Sequence, residues 1–369
     1  MIKGKVIILK KIFSIILVAV MMLSIASVSV NAADVEDLTA GERALLIMQR
    51  ADVNGDRVYS TDDVSIILKA AAGIIEIENE EFYDIDLDGY VSVRDAQLML
   101  EVVSGVGDLV SDEDALEAFN SILNGVKSKK PGFTRTTTAV IPSMKVTTSG
   151  TGISALDVTN MEYNKYVDKL VNTMNTYPFN TVLNDSMKKE LEEMKQSAID
   201  LYKPQTETKT VAAGSNSHYT YFPVNNLGWS SKLTVADIKS IDCIVDDGCI
   251  VFTITMNDHN YAAGQYPTGT KGFSDRQKLP YGKIFNLPAL DEETDSAGRP
   301  ITVVNSMKLQ KGKIVLKADL LTGDIVSVDY SYSYVSSITN NSYNEDGKLT
   351  SVMTSVTTAN YSESYAMNH

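Results

Sequence analysis

Two stretches of the chain place oxygen-bearing side chains at alternate positions. Asp52, Asn54 and Asp56 are followed by Ser60 and Asp63, and Asp84, Asp86 and Asp88 by Ser92 and Asp95. A hard divalent cation such as Ca2+ takes about six to eight oxygens, and one tight loop supplies them from positions 1, 3, 5, 7, 9 and 12. The second stretch therefore offers Asp84, Asp86, Asp88, the carbonyl of Tyr90, Ser92 and Asp95, with Gly89 at position 6, where the backbone must turn sharply. The first offers Asp52, Asn54, Asp56, the carbonyl of Val58, Ser60 and Asp63, but carries Arg57 at position 6. A left-handed backbone there costs a residue with a side chain about 1 kcal/mol, so the first loop is expected to be the weaker or more distorted. An alternative alignment, in which a glycine has been lost and the following residues shift by one, lets Asp62 compete with Asp63 as last ligand. Carboxylates this crowded repel one another unless a cation sits among them.

The loops belong to an internal repeat with an offset of 32 residues: Asp52 recurs as Asp84, Asp63 as Asp95 and Gly73 as Gly105. The segments that follow match as well, Ile66-Ile67-Leu68-Lys69 with Leu98-Met99-Leu100-Glu101, and read as two helices packed through Ile66, Ile67, Leu98 and Leu100. Two twelve-residue loops ending in Asp rather than Glu, each followed by one helix over roughly residues 50–106, resemble the type I dockerin module of cellulosomal proteins. The resemblance implies a small all-α two-repeat fold around two Ca2+ ions that docks onto a cohesin domain of a scaffoldin. It also implies that loop positions 10 and 11 help choose the cohesin. These are Thr61 and Asp62 in the first repeat (Ser60 and Thr61 in the shifted alignment) and Val93 and Arg94 in the second. The two pairs differ, which argues against two equivalent docking faces. Ala44–Met48 adds an apolar helix ahead of loop one, so the first unit also reads as a complete EF-hand. A calcium-stabilised structural module without a cohesin partner is the alternative.

The charge favours bound cations over nucleic acid. The 369 residues carry 33 Lys and Arg against 47 Asp and Glu, a net of −14, whereas phosphate binding needs clustered basic side chains. Residues 33–110 alone hold 18 acids against 5 bases. Three His and two Cys leave little for a zinc site or a Cys–His catalytic pair. Lys3, Lys5, Lys10 and Lys11 precede the uncharged apolar run Ile12–Val30, and Val30-Asn31-Ala32 suits a signal peptidase. Residues 1–32 thus read as a signal peptide, leaving a secreted chain with no membrane attachment after cleavage. Uncleaved, the run is just long enough to span a bilayer.

The remaining organisation reads as a calcium module at 36–108 and an α+β domain at 111–369, with helices over about 111–202 and antiparallel strands over about 205–365. Ser111 and Asp114 cap an apolar helix that Lys130-Pro131-Gly132 ends. Phe133–Thr148 reads as a strand broken at Pro142. Helical spacing follows over Met161–Met174 and Met187–Tyr202. Period-two alternation then takes over, with hairpin turns expected at Asp246-Asp247-Gly248 and Gln310-Lys311-Gly312, and turns again at Thr322-Gly323 and Glu345-Asp346-Gly347. Strands joined this tightly must be antiparallel. Tyr330, Tyr332 and Tyr334 share one strand face, which reads as core, with stacking on sugar rings as the functional alternative. Cys243 and Cys249 flank a turn, where a disulfide and two free thiols both fit. The segment 257–300 lacks clear periodicity and contains Asp258 beside His259. No GxSxG, HExxH or Gly-rich phosphate loop occurs, so no catalytic residue is assigned. The reading leans away from an enzyme. Two classes stay open for the larger domain, a glycan or surface binder and a glycoside-active hydrolase, and polysaccharide is the partner that both imply.

Overall fold

Helix starts are set by side-chain caps. In the structure, a computed structural model that describes residues 38–77, 79–150, 158–176, 181–224, 230–263 and 292–368, Thr39 opens helix α1 (Ala40–Arg50) with a reciprocal capping box to Glu42. Ser60 and Asp63 open α2 (Thr61–Ala71) in the same way, and Ser92 and Asp95 open α3 (Val93–Val103). Ser111 accepts the Asp114 N–H at the start of α4 (Asp112–Lys129), which ends on Lys130 in the left-handed conformation before Pro131. The expected signal segment and Trp229 lie outside the described residues, as does most of 257–300. No helix among the described residues is long and apolar enough to cross a membrane.

All strand pairs are antiparallel, and the fold is mixed helix and antiparallel sheet, as the α+β reading expects. The strands are β1 (Gly132–Gly150), β2 (Met161–Glu162), β3 (Gln205–Val211), β4 (Ile238–Asp246), β5 (Cys249–Met256), β6 (His259–Ala262), β7 (Glu293–Thr294), β8 (Pro300–Asp319), β9 (Ile325–Tyr343) and β10 (Leu349–Asn368). They form one sheet in the order β2-β1-β10-β9-β8-β5-β4, with β3 on β1 and with β6 and β7 on β8. The last strand closes on the first, Asn368 opposite Gly132, a long-range pairing that no local signal announces. Pro142 falls where the β1–β10 register shifts, between Val140 and Ser143. A proline donates no ladder hydrogen bond, so it is tolerated at such a bulge. The segment is therefore one kinked strand and not two.

The Asp247–Gly248 turn forms as expected, both residues at positive φ (49° and 70°) between the paired Asp246 and Cys249, which is the primed hairpin geometry. Gln310-Lys311-Gly312 does not form a turn. Lys311 takes a φ of 56° at a bulge, the register shifts between Gln310 and Lys313, and β8 runs straight on beside β9. A left-handed residue followed by glycine suits a bulge as well as a hairpin, and here β9 continues along both sides of it.

One core joins α1 and α4 to the sheet. Ala44 and Met48 of α1 are buried with Leu116, Phe119 and Leu123 of α4 and with Phe252, Ile314, Leu316 and Val328 of the strands. Gly41 permits the helix contact: a Cβ there would lie 2.8 Å from the Glu117 carbonyl carbon. Tyr330 and Tyr332 are buried in the same core, so they present no platform to sugars. They lie against Tyr365 and Tyr361, and the Tyr365 hydroxyl donates to the Tyr221 carbonyl at 2.7 Å. A buried Arg135–Glu363 ion pair joins β1 to β10. Helices α5 (Tyr163–Asn175) and α6 (Asp185–Asp200) form a separate small cluster through Val167, Val171 and Ala198.

Candidate metal-binding loops

The two acidic loops have the same backbone. Loop positions 4 and 6 are left-handed in both, at Gly55 and Arg57 (φ 72° and 70°) and at Leu87 and Gly89 (57° and 91°). Arg57 therefore occupies the place of Gly89 without any shift. The last acidic residue agrees. Asp63 accepts the N–H groups of Ser60 at 2.8 Å and Asn54 at 3.2 Å, and Asp95 accepts those of Ser92 at 2.8 Å and Asp86 at 3.2 Å. Both carboxylates are fully buried, whereas Asp62 is exposed. Loop one therefore follows the undisplaced alignment, and each loop carries one left-handed residue with a side chain, Arg57 in loop one and Leu87 in loop two.

Each remaining candidate side-chain ligand accepts backbone N–H groups of its own loop. Asp84 accepts the N–H groups of Gly89 at 2.9 Å and Asp88 at 3.1 Å. Asp52 accepts that of Arg57 at 2.9 Å, while its second oxygen is buried with no partner among the described residues. A buried carboxylate oxygen without a partner is costly unless a cation supplies the charge. Asn54 and Asp56 accept the N–H groups of Asp56 and Val58, and Asp86 and Asp88 accept those of Asp88 and Tyr90. Asp84, Asp86 and Asp88 bring one carboxylate oxygen each within 4.8 Å of one another, an arrangement able to hold a metal ion. Burial pushes the carboxyls of Asp52 and Asp84 above the usual range, and the neighbouring carboxylates push the same way. Both groups would gain from a cation. Ser60 and Ser92 serve chiefly as helix caps, so the Ser-x-x-Asp spacing has a structural use of its own.

The helices behind the loops pack through Val64, Ile67, Ala96 and Met99, with Ile85 of loop two between them in the same core. Of the four residues expected there only Ile67 is in this core; Ile66 and Leu98 are half-buried, Leu100 is exposed, and Met99 takes the inward position. Thr61, Asp62, Val93 and Arg94 are all exposed, and Arg94 Nε donates to Asp86 at 2.9 Å.

Cys243 and Cys249 are free thiols. The register places Cys243 opposite Phe252 and Cys249 opposite Asp246, so the two side chains point to opposite sheet faces and no disulfide forms. Burial pushes the Cys243 thiol up to about 12. The Asp258 carboxylate accepts from Lys239 and from the Lys311 N–H, while His259 lies in β6, its pKa lowered by burial.

Arg57 and Asp319, which tie loop one to the sheet, and Tyr59 and Gln49, which tie loop one to α1 and α1 to the β8–β9 turn, were not legible as functional residues. Arg57 shows in the sequence only as a missing glycine, and its partner Asp319 is 262 positions away. A scan against protein-family models finds no match to the chain, and a search of curated proteins finds no similar sequence.

Proposed function

We propose that this is a secreted tethering protein in which loops one and two each take a Ca2+ ion and the two helices behind them dock onto a cohesin-type domain, carrying the ten-stranded sheet as cargo. Oxygen-only donors at these spacings suit Ca2+ over softer metals. The observation that carries docking is a repeat in the exposed apolar residues. Val58 and Tyr90, Leu68 and Leu100, and Ile74 and Val106 each lie 32 positions apart in the chain, and all six are between 43% and 77% exposed. Each repeat thus exposes three apolar side chains at matching places, and apolar side chains gathered into an exposed patch mark an interaction site. A role of the cargo in polysaccharide utilisation rests on the dockerin resemblance alone.

A second reading, a structural calcium module with no cohesin, draws support from the contacts of loop one with the sheet. Capture of the chain on immobilised cohesin domains in calcium, lost in EGTA and lost with Leu68→Asp combined with Leu100→Asp, supports docking. Calcium binding without capture by any cohesin sinks docking and leaves the structural module.

A further inference from the structure

We infer that loop one is a calcium-dependent clamp on the cargo, so that filling it rigidifies the β4–β5 and β8–β9 turns; the inference rests on the calcium reading above. The side chain at loop position 6 reaches the sheet's surface turns, and that at position 8 reaches Met48 of α1. Arg57 lies along the β4–β5 turn, where a Cβ on Gly248 would come within 3.0 Å of its Cδ. Its Nη1 reaches Asp319 Oδ2 at 3.4 Å. Asp319 in turn accepts the N–H groups of Leu321 at 3.1 Å and Thr322 at 2.9 Å, which shapes the β8–β9 turn. The Tyr59 hydroxyl donates to the Met48 carbonyl, and the Cys243 thiol donates to the Met48 sulfur at 3.3 Å. Gln49 adds a bond to the Leu321 carbonyl at 3.1 Å.

These contacts alternate with the candidate ligands. Asp56, the Val58 carbonyl and Ser60 are the candidate ligands, while Arg57 between them contacts the sheet's turns and Tyr59 contacts α1. An ion that fixes residues 56–60 therefore fixes both anchors at once. Loop two has Gly89 and Val91 at the equivalent places and offers neither a long cation nor a hydroxyl. The coupling belongs to loop one alone, and this gives the departure from glycine at position 6 a use.

The test is hydrogen exchange of the full chain in calcium and in EGTA, with calorimetry of calcium binding in parallel. At calcium 100-fold above its dissociation constant, any opening that requires ion release is suppressed about 100-fold. The expected result is slower exchange at 246–249 and 319–324 as well as in the loops. Asp52→Asn removes this slowing at the two turns, and Asp84→Asn, which disables only loop two, preserves it. Asp319→Asn leaves calcium bound and weakens the slowing. Calcium binding with protection confined to 50–106 overturns the clamp, as does turn protection that persists in Asp52→Asn. No calorimetric signal from the wild-type chain overturns the calcium reading itself.

Discussion

At the scale of single residues, the two loops solve one backbone problem in opposite ways. Each needs two left-handed residues; loop one has glycine at position 4 and Arg57 at position 6, and loop two has Leu87 and Gly89. Each loop thus keeps one residue that costs about 1 kcal/mol relative to glycine. Arg57→Gly is expected to raise stability by up to about 1 kcal/mol in urea unfolding, less the few tenths that an exposed ion pair with Asp319 contributes. Gly89→Ala should lower it by a similar amount, read in the same titration. A second residue-level expectation concerns acid. His218 is buried, its Nδ1–H donates to the Ser215 carbonyl at 3.0 Å, and burial holds its pKa below the usual imidazole value. The unfolded chain then takes up the proton first, so this contribution to stability is complete above the unfolded value of about 6.5 and is lost as pH falls toward the folded one. Urea midpoints compared at pH 7 and pH 5 should fall less for His218→Gln than for the wild-type chain.

At the scale of elements, what was legible followed local rules. The acidic loops, the Ser111 cap and the Asp247-Gly248 hairpin were readable because each is decided within about a dozen residues. Gln310-Lys311-Gly312 was misread because a left-handed residue before glycine serves a turn or a bulge equally, and only the neighbouring strands decide which. Leu100 was misassigned for a related reason. The helix presents two adjacent apolar positions, and packing against Ile67 and Ile85 selects Met99. Helix α1 is the larger surprise. Its position next to loop one suggests the entering helix of an EF-hand, yet Ala44 and Met48 are buried with α4 and the sheet. Met48→Ala is therefore expected to cost about 2–5 kcal/mol. The loss should register in the near-ultraviolet signal of the sheet's buried tyrosines and not only in calcium affinity; a change limited to calcium affinity would return α1 to the loop module.

At the scale of the whole molecule, the same contact decides where the chain can be cut. Composition and charge place a boundary between 108 and 111, where the acidic repeat gives way to the helix-and-sheet region. A fragment beginning at 111 would carry α4 with Ala115, Leu116, Ala118 and Phe119, all 3% exposed or less in the intact chain, and without the α1 face that helps cover them. Contiguous apolar surface of that kind favours association. The fragment 111–369 is expected to elute as oligomer in size-exclusion chromatography and to bind a hydrophobic dye, whereas the chain from residue 38 onward stays monomeric at the same concentration. Adding the α1 segment back as a peptide should reverse the oligomerisation, since Gly41 allows it to seat directly on the α4 backbone near Glu117. A monomeric, dye-silent 111–369 fragment would mean that α1 is a dispensable attachment and that the acidic repeat and the sheet are independent domains, which would also remove the structural basis for a calcium clamp.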